Sequence, residues 1–433
     1  MKRASILALS AFVIIGLGFA EPAAAQDKAV SMGIVTFLTG PAAAPFGVPA
    51  RNGAELVIEA INAGKLPSPY NSKGYAGARV EAVWVDESGG NAKQVGEYRN
   101  LVEKRNVDVV LGYISSGTCA ALSNVVEELK KLTVYALCST PRVFDDADRH
   151  YIFRPISVLS SDAVAAAHYL REKFPKLKSY AGIHPNYAWG QDSASDFANA
   201  ASKLLPNVEK LDVHFPKLFQ GAFQTEISAL LLSKADLIHS SLWDGDLESF
   251  IFQGKARGLF QKKKVLFTVG DTAVYRLGEQ LPEGLIIGGR GPYGILVRNR
   301  DTVLNKWFIN AYHDRYGTYP TGPAYQYAQA VLATKIAYDK AAAKGGGFPT
   351  QDQVIDAYTG LTFESFSTTV KLTNAKGHQA VVENGYGISK FDKAKREVVL
   401  TEIKFYPPEC VEAPPNMQSD AWIKAGMPGA KCH

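Results

Sequence analysis

The chain has 433 residues, with 47 basic against 42 acidic side chains and a formal charge of +5. Hydrophobic residues make up 46% and charged residues 21%, which excludes a disordered chain and, at this length, makes two domains the natural expectation. Cations and anions nearly match and no basic run stands out, so nucleic-acid binding has no electrostatic footprint.

Lys2 and Arg3 precede an apolar stretch, Ile6 to Ala20, and Ala23-Ala24-Ala25 supplies small residues before Gln26. That order reads as a secretory signal peptide cleaved near Ala25, because the stretch is short for a bilayer span of about 20 residues. An exported chain changes how its four cysteines read. In an oxidising compartment Cys119 with Cys138 and Cys410 with Cys432 are the preferred bridges among three possible pairings. Two buried thiols at 119 and 138 are the alternative. No CxxC occurs, so neither zinc nor thioredoxin-type chemistry has support.

Val30 to Phe37 is an apolar run that reads as a buried strand, and Arg51 to Ala63 carries apolar residues at helical spacing. Strand, helix, strand, helix, strand follow at 79–85, 92–104, 107–111, 120–131 and 132–137. The rhythm restarts with a helix at 163–174 and runs through strands at 179–183, 208–213, 237–241 and 265–269, with helices between them. Two longer helices, 303–316 and 324–343, and short strands near 368–372, 386–391 and 398–405 complete the chain. Such a series predicts an α/β protein of two lobes, each a doubly wound parallel sheet, with a seam near Arg154-Pro155. Ligands in such sheets sit beyond the carboxyl ends of the strands, in the turns at 38–50, 112–119, 138–145, 184–190, 241–246 and 270–274.

Those turns lack catalytic combinations. No HExxH, GxSxG or GxxxxGK[ST] string is present, and the eight histidines are scattered. Gly289-Arg290-Gly291-Pro292-Tyr293-Gly294 fits GxGxxG, but Pro292 and the charged stretch to Asp301 argue for a crossover between lobes. The acid pairs Asp86-Glu87 and Asp145-Asp146 read as solvated turn carboxylates, and His184 as a structural or rim histidine. A hydrolase would need a Ser–His pair, and none is evident.

Gly40-Pro41 through Phe46-Gly47 to Asn52-Gly53-Ala54-Glu55, ending Ala60-Ile61-Asn62, resembles the opening of the leucine/isoleucine/valine-binding proteins. These are type I periplasmic solute-binding components of ABC transporters. Gly112 to Ser116, Ser139-Thr140-Pro141, Trp189-Gly190, and Asp236 to Trp243 with a helix ending Ala256-Arg257-Gly258-Leu259 match in the same order. The resemblance covers nearly the whole exported chain except the tail beyond about Phe405. It implies a three-crossover hinge, with 26–156 and 290–362 in the first lobe, 157–289 and 363–405 in the second, and 406–433 as a C-terminal tail.

The resemblance further implies a non-enzymatic periplasmic protein without cofactor, expected as a monomer, that delivers a small-molecule ligand to an ABC transporter membrane permease. A branched-chain or other amino acid, or a related carboxylate, is the expected ligand. An exported sensor subunit is the alternative with the same fold. By position, Ser116 matches the serine on the ligand carboxylate and Thr140 the threonine on its polar groups, with Cys138 supplying backbone groups. Phe46 matches the aromatic of the first turn, and Trp189 and Trp243 the two second-lobe aromatics. Asp271 falls near the acid that takes an ammonium, with Gly270 the other candidate. Helix capping by Ser116, Thr140 or Asp271, and ordinary packing of the tryptophans, are the structural alternatives. A position that is bulky and aromatic in the family falls near Gly322, which reshapes the pocket and admits aromatic acids or short amides. The Pro-rich tail has few apolar residues of its own, so a 410–432 bridge, worth roughly 3 kcal/mol, is expected to hold it.

Overall fold

A computed structural model describes residues 28–432; the expected signal peptide and its cleavage site lie outside them. The first lobe is built on a five-stranded parallel sheet. Its order is Arg79–Asp86, Ala29–Thr36, Val109–Gly112, Thr133–Tyr135, Ile152–Phe153. Central strands such as Val109–Gly112 are buried at every position, which is why they read as apolar runs. The second lobe holds seven strands. Five are parallel, from Ile286–Gly288 through Lys264–Phe267, Leu237–Ser240 and Ser179–Ile183 to Glu209–His214. Asn384–Asp392 and Glu397–Tyr406 add to it antiparallel.

Helices cover the sheets as their spacing predicts. Val48–Ala63 begins with Pro49 in its first turn, where a missing N–H costs nothing, and buries Leu56, Val57, Ile58 and Ile61. The predicted 324–343 helix extends over Gly322–Gly345. Gln351–Tyr358, opened by a capping box between Thr350 and Gln353, escaped the sequence reading. The strand expected near 368–372 forms as Thr369–Asn374, but its two antiparallel partners, Thr362–Glu364 and Gln379–Val381, escaped it too. Gln379 bridges to Arg154, so this small sheet is tied to the seam between the lobes. The chain crosses between the lobes three times: after Phe153, after Gly288 into the helices Val303–Tyr316 and Gly322–Gly345 that pack on the first lobe, and before Asn384.

Both expected disulfides are formed, Cys119–Cys138 and Cys410–Cys432. The tail makes short helices, Pro408–Val411 and Ser419–Lys424, and sinks Val411, Trp422 and Ile423 into a cluster with the second lobe's Tyr169 and Leu170. It also reaches the first lobe, where Ser419 N–H donates to Asp145 at 3.1 Å. Asp145 is therefore half-buried and engaged, not a solvated turn acid, and burial pushes its carboxyl up to about 6.

Candidate functional site: the cleft between the lobes

The turns after the strands of both sheets meet in the cleft. Phe46 stands in a π-helical turn, Ala43–Gly47, that folds back over the first strand. The return is so close that a Cβ on Gly47 would lie 1.6 Å from the Phe37 carbonyl oxygen, hence the glycine. Ser116 opens the helix Ser116–Leu129, but Ser115 is its cap, accepting from Thr118 N–H at 3.4 Å. The Ser116 hydroxyl is left to accept from Ser139 N–H at 3.4 Å. Trp189 and Trp243 begin and precede the helices Ala188–Leu204 and Asp244–Ala256 of the second lobe.

These four side chains line one cavity, together with Ile114, Leu137, Tyr187, Val269 and Arg290. Its volume is about 10 Å³, room for one water at most, so a ligand enters only as the lobes part. The walls are aromatic. Phe46 meets Trp243 edge-on with centroids 5.1 Å apart, and Phe37 and Phe219 approach Trp243 at 6.0 Å. Trp189 is fixed by its indole N–H, which donates to the Ser241 carbonyl at 2.8 Å. The Trp243 indole nitrogen is buried without a partner.

Arg290 is the residue that sequence reasoning missed. Its strand-following loop was read only as a crossover, and nothing in Gly289-Arg290-Gly291 signals that the side chain turns into the cleft. It is 7% exposed. One guanidinium nitrogen donates to the Leu137 carbonyl at 2.7 Å, and the group lies 4.8 Å from the centre of the Trp189 ring. Nε has no partner, and the nearest carboxylate, Asp162, stands 3.9 Å away. Burial pushes Asp162 up to about 7, so the counter-charge beside Arg290 is weak. Arg290 also holds φ +57°, a conformation costing roughly 1–3 kcal/mol that its surroundings must impose.

The other three candidates stand apart from the cavity. The backbone groups of Cys138 are engaged within the fold: its N–H donates to the Tyr113 carbonyl at 3.1 Å and its carbonyl accepts from Arg154 at 3.4 Å. The Thr140 hydroxyl donates to Asp192 of the second lobe at 2.7 Å, and Arg142 clasps the same carboxylate through Nε at 3.0 and 3.1 Å. Together they form a lobe-to-lobe latch. Asp271 accepts from Ile295 N–H at 2.8 Å and Gly322 N–H at 2.6 Å, so both its oxygens are spoken for. Gly294 holds φ +58°, and a Cβ there would sit 2.0 Å from Asp271 Oδ1; only glycine lets the loop wrap this carboxylate.

Two readings of the sequence need correction. Glu87 is not solvated: it is 1% exposed and accepts from Ile114 N–H at 2.7 Å and Ser115 N–H at 2.8 Å. It plugs the start of the Ser116 helix, where the free amides and the dipole favour an acceptor. Asp86, its neighbour, accepts from Leu38 N–H at 2.9 Å and the Thr39 hydroxyl at 2.6 Å. A Ser–His pair does exist, 57 residues apart in sequence: His184 Nδ1 lies 2.8 Å from Ser241 Oγ. Both side chains are buried away from the cavity, and burial drives His184 down to about 3. The pair therefore packs behind Trp189.

Burial raises Glu87 to about 8 and Asp162, Asp196 and Asp271 to about 7, against ordinary carboxyl values near 4. A carboxyl whose folded value is raised holds its proton more tightly when folded. Its contribution is complete below about 4 and is lost as pH rises through 7 to 8. The buried His184 acts in the opposite sense, but only up to the unfolded value near 6.5. Between about pH 6.5 and 8.5 the melting temperature is therefore expected to fall, by calorimetry, and Asp271→Asn to flatten part of that slope. A melting temperature rising across this window would refute the assignment.

Two lobes on a three-crossover hinge, closing an aromatic-walled cleft with polar groups at its floor, define a hinged solute-binding protein. The sequence matches the family model described as periplasmic binding protein over residues 29–394, and the chain belongs to that family. No curated relative matches it. Similar solved structures include a solute-binding protein of an ABC transporter from Rhodopseudomonas palustris BisB5 in complex with 3,4-dihydroxybenzoic acid. That pair shares 18% identity and a TM-score of 0.74, covering 87% of this chain and 97% of the other. A second from R. palustris, in complex with benzoate, has 18% identity and TM-score 0.73 over 87% and 96%. A leucine-binding protein from Thermotoga maritima has 17% identity and TM-score 0.71 over 86% and 98%.

Proposed function

We propose that the protein captures a small aromatic carboxylate lacking a free amine and delivers it to a membrane permease, without chemical conversion. The observation that carries this is the pairing of opposite facts about two charged residues. Arg290 brings an incompletely satisfied guanidinium to the cavity wall, where a carboxylate would complete its hydrogen bonds. Asp271, the acid that the resemblance offers for an ammonium, already has both oxygens bonded to backbone amides. An amine brought into this cavity would meet a cation, Arg290, and no carboxylate among the lining residues, so its desolvation would go uncompensated there.

Ser116 adds a hydroxyl beside the anion, while Phe46, Trp189 and Trp243 offer flat apolar faces that suit a ring. The benzoate complexes of two structural neighbours support the same ligand class. Export to the periplasm fits the family and the expected signal peptide. The test is a calorimetric panel of benzoate, 4-hydroxybenzoate, phenylalanine and leucine. The aromatic acids are expected to bind at least tenfold tighter than either amino acid. Tighter binding of leucine or phenylalanine would restore the amino-acid reading and remove this one.

A further inference from the structure

Away from the cleft, at the amino ends of the second lobe's strands, lies an open basin of about 790 Å³. Seven lysines line it, drawn from 173–178, Lys234 and 262–264, against two carboxylates, Asp236 and Glu283. Lys173 is paired with Glu402 at 3.0 Å, which leaves the basin with a net excess of four cations. Both carboxylates are occupied: Asp236 accepts from Lys178 N–H at 2.9 Å and Glu283 from Phe391 N–H at 3.1 Å. Lys263 is the anchored member, donating to the Ser233 and Ala235 carbonyls at 2.6 and 2.8 Å. That bond ties the basin to the end of the helix Gln224–Leu232, where Leu232 is 86% exposed, the most exposed large apolar side chain among the described residues.

We propose that this base of the second lobe docks on an anionic phospholipid surface, with lysines on the headgroups and Leu232 entering the layer beneath them. Two observations favour lipid over a single small anion. The lining holds lysines and no arginine, suiting a diffuse field of phosphates rather than one bidentate ligand. Half-buried Phe174 and Phe260 interleave with the lysines, and an apolar side chain projects beside them, the pairing that membrane-surface elements use. The basin also lies at the opposite ends of the strands from the cleft, so a docked molecule keeps its cleft free to open.

The test is sedimentation of the protein from Gln26 onward with vesicles of phosphatidylglycerol and phosphatidylcholine, or of phosphatidylcholine alone. Binding is expected only to the anionic vesicles and to weaken with salt. Lys176→Gln/Lys234→Gln/Lys262→Gln should reduce it about a hundredfold, from about 1 kcal/mol per lysine, and Leu232→Asn roughly tenfold. The triple variant Lys65→Gln/Lys73→Gln/Lys93→Gln, on the first lobe, should bind as the parent does. Unchanged thermal melting of the variants checks their folding. Equal loss in the two triple variants, equal binding to neutral vesicles, or no effect of Leu232→Asn would each overturn the proposal. The last of these, combined with binding to soluble polyphosphate or an acidic protein, would assign the basin to a soluble polyanion.

Discussion

Replacing Arg290 with leucine is expected to weaken binding of a benzoate-class acid by about a hundredfold, or about 2.7 kcal/mol. The size follows from burial. Arg290 is 7% exposed and faces a cavity with aromatic walls, so a carboxylate bound there without it would be a desolvated charge with no counter-ion. Arg290→Lys keeps the charge but loses the planar fork and the seat over Trp189, and should cost about tenfold. Asp271→Asn is expected to leave the affinity within twofold, because that carboxyl serves Ile295 and Gly322. Isothermal calorimetry on the three variants, with melting curves as the control for folding, decides the matter. A large loss in Asp271→Asn beside a small one in Arg290→Leu would exchange the two roles and favour an amino acid.

The second large effect concerns the first-lobe disulfide. Cys119 lies in the first turn of the Ser116 helix, and Cys138 follows Leu137, whose carbonyl holds Arg290. The bond thus joins the two turns that supply the anion-facing groups of the first lobe. It closes a loop with a sequence separation of 19, so Cys119→Ala/Cys138→Ala is expected to lose roughly 3 kcal/mol of stability. The same change should loosen the site and cost about tenfold in affinity. Cys410→Ala/Cys432→Ala, with a separation of 22, should lose similar stability while leaving affinity unchanged. Denaturant titration and calorimetry separate the two pairs. Equal affinity losses would show that the first bridge acts on global stability alone.

Much of this architecture is legible in the residues. Buried parallel strands leave unbroken apolar runs, and their helices carry apolar residues at helical spacing, so both lobes can be counted from the chain. Phe46, Ser116, Trp189 and Trp243, which the resemblance singled out, share a position that the residues alone also mark: each stands in or beside the turn that follows a strand, where such folds place their ligands. Arg290 was not, because its role depends on where a crossover lies against the far lobe, and no local pattern encodes that. Glu87 was misread since an acid after a strand is normally solvated, and only the packed start of the Ser116 helix shows what it caps. The lysine basin is hidden in the same way, its members being contributed by three separate segments that the amino ends of one sheet's strands bring together.

The hydrogen bonds by which Thr140 and Arg142 clasp Asp192 involve none of the residues that line the cavity. They belong to the closed arrangement whatever lies inside. Strengthening or weakening them would therefore multiply the dissociation constants of every solute by one common factor, leaving their ranking unchanged. Selectivity and retention are thus adjusted by different residues, and a lineage could retune how long the protein holds its cargo without altering which cargo it holds.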